Sequence, residues 1–371
     1  MAAVLAGAQR VAGHDSRHLW AVDSTLWSRP LAAPLHTVAA GIDHFIIRDG
    51  DFDAPISLVR DKLRWKSPEF VAKADVIHLH NVNGITQVGE LARSFPDKKI
   101  VWTLHDMNPF TGACHYALGC SKYTQDCSSC PAVKLPFQDL VEKSFQQKLA
   151  GLDAVENLHL VAPSEWLADE SQASRLMSRF PTSTIRNPLD PVFFAHDTNT
   201  ASVSHTFVVV AQNLEDPVKN VSAAVMAFSD VRREHPAATM ALVGRGGSSF
   251  SGEGITLLGP LPQSNLAAAF RASQAIVVPS AAENAPMVIA EAAAQGCLPI
   301  VRATGGMPGM IADLGAGHSF SHSEEMTIAM ATILRQKASE RGRARQALRA
   351  KAQSLYSPEA VRKQYDEVYN R

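Results

Sequence analysis

Glu283 and Glu291 stand eight residues apart in PSAAENAPMVIAEAAAQGCLPIV, residues 279–301. Two carboxylates at that interval, either side of a helix start, can do different work on one ligand. One can accept hydrogen bonds from a ribose diol and the other can reach a sugar. The N–H groups at the head of the helix can hold a diphosphate between them. The plainer alternative is two solvated acids near a helix N-terminus, where acids are favoured in any case. The surrounding residues favour the first reading. Lys219 comes near the end of AQNLEDPVKN (211–220), and a lysine there is a mobile point charge suited to a diphosphate. VGRGG (243–247) and the run Thr304, Gly305, Gly306 are glycine turns, and glycine lets backbone approach a ligand closely. WTLHDMNPF (102–110) sets His105 and Asp106 just past an apolar run, where an imidazole can donate to a sugar oxygen or shuttle a proton. Taken singly, Lys219 reads as a surface lysine, and His105, one of 14 histidines, as a loop histidine.

These groups need elements to hold them. The apolar run 275–278 reads as a buried strand, 279–285 as a loop, and Pro286 as the first residue of a helix, where its missing N–H costs nothing. Strand-like runs alternate with helical ones along the whole chain, which predicts parallel α/β layers. In the first half the expected strands are 18–22, 44–47, 76–80, 100–104 and 158–162. In the second half they are 207–211, 240–243, 255–258, 275–278 and 298–301. Between the sets, 185–206 combines two prolines with a polar Thr/Ser/Asn tract, the composition of a linker. The expected domains are 1–187 and 188–355, with 356–371 a final helix crossing back to the first. Ligands of open α/β sheets bind beyond the carboxyl ends of strands. There lie His80, Asn81, Asn83, Gly84, His105, Asn213, Gly244, Arg245 and Glu283. His78 and His80 alternate along one strand and are expected on opposite faces, with His80 toward the ligand.

Composition narrows the class. A chain of 371 residues exceeds one ordinary core, and 46% hydrophobic with 19% charged residues marks a soluble globular protein. Lys and Arg number 35 against 36 Asp and Glu, leaving no net field for nucleic acid. No apolar run approaches the ~18 residues of a membrane span. The opening MAAVLAGAQRVAG reads as an amphipathic helix. Five cysteines, four of them in CHYALGCSKYTQDCSSC (114–130), argue for a reducing cytosol over a disulfide framework. Cys114, Cys120, Cys127 and Cys130 can close a tetrahedral structural zinc site, or stand as free or redox-active thiols. Cys297 reads as a core residue.

In their order along residues 207–311, Lys219, VGRGG, LLGPLP, VVPSAAEN, the paired acids, EAAAQG and TGGMP resemble the family 4 (group 1) glycosyltransferases. WTLHDMNPFTGACHY, the later cysteines, VAPSEWL and IRNPLD resemble a bacterial polysaccharide-assembly subgroup of that family. The resemblance implies GT-B architecture, two Rossmann-like domains facing a central cleft. It implies a retaining transferase taking GDP-, UDP- or related sugars to a glycan or lipid-linked acceptor, with no metal in the chemistry. Such an enzyme is cytoplasmic, with peripheral association at the inner membrane face as a further expectation. By resemblance Glu291 binds ribose and Lys219 the diphosphate, with Asn213, Gly244 and Arg245 alongside. Glu283, Asn284 and Ala285 line the donor sugar, Gly305 and Gly306 complete that wall, and His105 faces the reacting centre. These roles give Glu283 almost no part in the affinity for free nucleotide. Three departures stand out. Asn213 replaces an arginine expected six residues before the lysine, and Gly309 replaces an acid. A first strand and its glycine loop are expected ahead of the opening helix and are missing. A non-catalytic sugar-nucleotide-binding subunit and a nucleotide-sugar epimerase are the competing functions.

Overall fold

The structure is a computed structural model that describes residues 1–19, 46–47, 55–59, 69–82, 86–195 and 205–371. After the opening helix α1 (Ala2–Val11), its contacts divide the chain into two compact units. One comprises His14–Ile185 and Gln364–Arg371, and the other Ala3–Gly13 and Arg186–Lys363. The sequence boundary at 187/188 differs from this at the N-terminus, since α1 groups with the second-half unit.

The second-half unit is built on six parallel strands: β5 (His205–Asn213), β6 (Met240–Arg245), β7 (Ile255–Gly259), β8 (Ser273–Val278), β9 (Leu298–Arg302) and β10 (His318–Phe320). Their order is β10-β9-β8-β5-β6-β7. The chain enters at the middle, winds outward through β6 and β7, then returns to the other side of β5. The switch point therefore falls between β5 and β8, where ligands of doubly wound sheets bind. Buried parallel strands read as unbroken apolar runs because helices cover both faces, and Phe207, Val208, Val209, Ala275, Ile276 and Val277 are all almost fully buried. Helix α6 (Val221–Glu234) buries Val221, Ala224, Ala227, Phe228 and Val231, a helical repeat along one stripe. Phe228 meets Phe207 edge-on, with ring centroids 6.3 Å apart. α7 (Gln263–Arg271) follows β7. α8 (Met287–Ala294) is apolar nearly all round and sits inside, with α9 (Met307–Leu314), α10 (Ser323–Arg335) and α11 (Ala338–Tyr356) completing the layers. Pro286 stands at the N-cap of α8, one place ahead of its expected position.

In the first-half unit, β1 (Val76–His80), β2 (Lys99–Thr103), β3 (Leu158–Ala162) and β4 (Thr182–Thr184) form a parallel sheet in that order. α2 (Glu69–Lys73), α3 (Val88–Ser94), α4 (Gln138–Leu152) and α5 (Glu165–Ala173) accompany it. Ser164 caps α5, its Oγ accepting from Leu167 N at 3.2 Å. The last helix, α12 (Pro358–Asn370), begins in the second-half unit and belongs to the first from Gln364 on. Tyr365 and Val368 are buried there, and Lys99 donates to the Val368 carbonyl.

Eight expected strands appear at their expected places. β4 and β10 are additions, because TST and HSF are short and lack the apolar run that marks an inner strand. Most of the expected 18–22 strand, residues 44 and 45 of the 44–47 strand, and Asn83 and Gly84 lie outside the described residues. Ile47 makes a single antiparallel bridge to Val133.

Candidate functional site

The loops after β5 and β8 meet beside the switch point. β5 runs into a one-turn 3-10 helix, Pro217–Lys219, capped by Asp216, whose Oδ1 accepts from Val218 N at 2.9 Å. Asn220 follows in the left-handed region, at φ 50°, and turns the chain into α6. This turn brings Lys219 toward the loop after β8, where its Nζ lies 2.6 Å from Glu283 Oε1. Backbone ties hold both partners. Ala281 N donates to Val218 O at 2.7 Å, and Gly306 N donates to Glu283 O at 3.1 Å. Gly305, in the loop after β9, has φ 56°, and a β-carbon there would lie 1.8 Å from Glu283 O, so only glycine lets the loops after β8 and β9 approach this closely. Glu283 and Asn284 are buried, with Ala285 partly so. Lys219, Glu283, Asn284, Ala285, Gly305 and Gly306 are thus brought together by the fold.

Asn213, Gly244 and Arg245 form a second, adjoining group. Gly244 has φ 153°, and a β-carbon would lie 2.0 Å from Ala211 O, which fixes glycine at the crossing of the β5 and β6 ends. Leu214 N donates to Arg245 O, and Glu215 Oε1 accepts from Gly247 N at 3.1 Å. Arg245 is exposed, its Nε 3.5 Å from Gln212 O. Asn213 Oδ1 accepts from Glu215 N and so serves the loop itself. Glu215 escaped the sequence reading, although its place between Asn213 and Lys219 was a signal.

Glu291 lies in the middle of α8, the helix that the Glu283 loop leads into. Burial raises its pKa to about 7, and the charge of Asp190 pushes it the same way. Asp190 also caps the Pro191–Phe194 turn, its Oδ1 accepting from Val192 N at 3.0 Å. Sequence reasoning missed this neighbour, though it closes the IRNPLD segment.

In the first-half unit His105 follows β2. Its Nε2 is 3.2 Å from His80 Nδ1. His78 and His80 share a face, with ring centroids 4.1 Å apart, as residues two apart on a strand must. The expectation of opposite faces is therefore corrected. His78 is held by Tyr369 OH at 2.8 Å and Thr103 Oγ1 at 2.7 Å, and Thr103 in turn by Tyr365 OH. Burial lowers all three histidines, His78 to about 3 and His105 to about 4, although Asp106 acts to raise His105. All three stay neutral near pH 7, as hydrogen-bond donors and acceptors without charge. Asp106 points to His115, Oδ2 to Nδ1 at 2.7 Å, and His115 Nε2 meets Ser57 Oγ at 2.9 Å. Ser57 N also donates to Ala113 O. This Ser–His–Asp array staples residues 55–59 to the loop after β2.

Cys114, Cys127 and Cys130 are buried and Cys120 partly so, and no disulfide is present among them. Among the described residues no three of His, Cys, Asp and Glu are placed to hold a metal ion. The structural-zinc reading, one of the two that the sequence left open, is therefore not supported. Cys114 shares a thiol hydrogen bond with Cys130, and Cys127 Sγ accepts from Gly112 N at 3.2 Å. The Cys114 bond lowers Cys130 to about 7, while that bond and burial raise Cys114. Cys297 is buried in the core, as expected.

Residues 204–336 match the family model described as Glycosyl transferases group 1. No curated protein matches the chain. Among solved structures, sucrose-phosphate synthase from Thermosynechococcus elongatus is similar at TM-score 0.58 and 17% identity, covering 91% of this chain and 92% of that one. HepE from Anabaena, solved with UDP and glucose, gives 0.57 and 18%, covering 81% and 79%. WaaG, a glycosyltransferase involved in lipopolysaccharide biosynthesis, gives 0.56 and 12%, covering 76% and 80%. The shared fold is GT-B. Among the described residues no helix is long and apolar enough to cross a membrane.

Proposed function

We propose that this glycosyltransferase moves a sugar from a nucleotide-sugar donor to a glycan or lipid-linked acceptor in surface-polysaccharide assembly, retaining the donor's anomeric configuration. The observation that carries the reading is the meeting of Lys219, Glu283 and Gly305 beside the β5/β8 switch point. In this reading the diphosphate sits on Lys219 and the N–H groups heading α8. Glu291 takes the ribose diol, while Glu283, Asn284 and Ala285 line the sugar, and Gly306 closes the wall. Asn213 and Gly244 border the phosphates, and the exposed Arg245 supplies the cation that Asn213 does not. These fixed positive groups stabilise the charge that develops on the departing diphosphate, and most of the rate enhancement comes from that stabilisation. His105 is assigned to the reacting centre as a neutral imidazole. The UDP and glucose bound to HepE make a UDP-sugar the first donor to try. A lipid-linked acceptor would draw the chain to the inner face of a membrane from the cytoplasm.

The test is product analysis with UDP-, GDP- and ADP-hexoses and a lipid-linked or oligosaccharide acceptor, followed by proton NMR. The expected result is nucleoside diphosphate released with a new glycoside of unchanged anomeric configuration. Inversion, an epimerised donor or no turnover with any donor would overturn the reading.

A further inference from the structure

The side chain of Glu283 is 9% exposed and that of Lys219 28%, with 2.6 Å between Oε1 and Nζ. Neither is loosely placed. The Glu283 backbone is pinned by Gly306 N and crowded by Gly305, and the Lys219 turn is capped by Asp216. A phosphate resting on Lys219 therefore comes close to an acidic side chain whose backbone is held in place. Screening by salt is weak for groups this far from solvent.

We infer that Glu283 biases this site toward an intact nucleotide sugar and against the nucleoside diphosphate left after transfer. The inference rests on the nucleotide-sugar reading above. In the intact donor the outer phosphate is esterified, and the sugar hydroxyls beside it donate to the Glu283 carboxylate, a charge-assisted hydrogen bond. After transfer those donors leave with the acceptor, and the outer phosphate gains ionisable charge. The same carboxylate then faces a more negative phosphate across the Lys219 ammonium, without the sugar donors that had offset it. Attraction of Glu283 to the donor becomes repulsion of the product, which lowers the affinity that Lys219 gives to nucleoside diphosphate. Binding energy is thus divided unequally between two ligands that share most of their atoms. It also reverses the expectation that Glu283 has almost no part in free nucleotide affinity.

The experiment is calorimetric titration of the full chain and Glu283→Gln with UDP, GDP and ADP, their monophosphates and their hexose esters. Gln keeps the shape and removes the charge. The variant should bind the diphosphate about tenfold more tightly, as removal of one nearby like charge implies. Its monophosphate affinity should stay unchanged and its nucleotide-sugar affinity should fall. Glu283→Asp withdraws the carboxylate by one methylene and should shift the diphosphate the same way by less, which keeps the test open if Gln impairs folding. Diphosphate affinity unchanged or weakened in folded variants would overturn the inference and leave the nucleotide reading standing. A parent chain that binds neither the diphosphates nor their hexose esters would overturn both.

Discussion

Glu291 is held near pKa 7 by burial first and Asp190 second. An acid raised this way keeps a proton in the folded chain that the unfolded chain has already released, so its contribution is full below about 4.5 and is lost as pH rises through about 7. Glu291→Gln should therefore melt at a higher temperature than the parent at pH 8, with the difference vanishing at pH 4. Parallel melting-temperature profiles across that range would contradict the assignment. Two glycines give a paired test. Gly305→Ala forces a β-carbon against Glu283 O at a positive φ and should cost about 1–3 kcal/mol. Gly309 meets nothing within 4 Å and lies in α9, so Gly309→Ala should be neutral or stabilise by up to about 1 kcal/mol in urea unfolding. The placement of Glu283, Lys219 and the glycine turns in the loops that follow strands was legible, because apolar runs mark the strands ahead of them. The Lys219–Glu283 contact was not, since it joins side chains 64 positions apart.

Among the elements, the long apolar strands were legible and the short edge strands were not. A strand buried on both faces announces itself by composition, whereas an edge of three residues does not. Ties that reach across the chain leave no local pattern either. Lys148 on α4 donates to Thr111 O at 2.9 Å and also to Asn108 O, and burial lowers its pKa to about 8. It anchors the loop that follows His105. Lys148→Met should leave the Thr111 carbonyl without this donor and the Asn108 carbonyl with Thr111 N alone, and cost about 1–3 kcal/mol, read by chemical denaturation. A loss below about 0.5 kcal/mol would show that water replaces the ammonium. The end of α12 does comparable work: Tyr365→Phe deletes the hydroxyl held by Thr103 and should cost about 1 kcal/mol.

The whole molecule is two parallel α/β units, and the alternation of apolar and helical segments announced both. What composition could not reveal is membership at the ends, where α1 groups with one unit and the last residues with the other. Removal of residues 364–371 should lower the melting transition of the first-half unit and leave that of the second unchanged, because Tyr365 and Val368 are core residues of the former. At this scale the central proposal is a diphosphate site at the β5/β8 switch point, worked by Lys219. Calorimetry on the parent and Lys219→Met, with nucleoside diphosphate against monophosphate, tests that most directly. The prediction is a diphosphate affinity lower by about 10- to 100-fold, the worth of one charged hydrogen-bond partner, with monophosphate affinity unchanged. Equal losses for both nucleotides, or no loss for either, would contradict it.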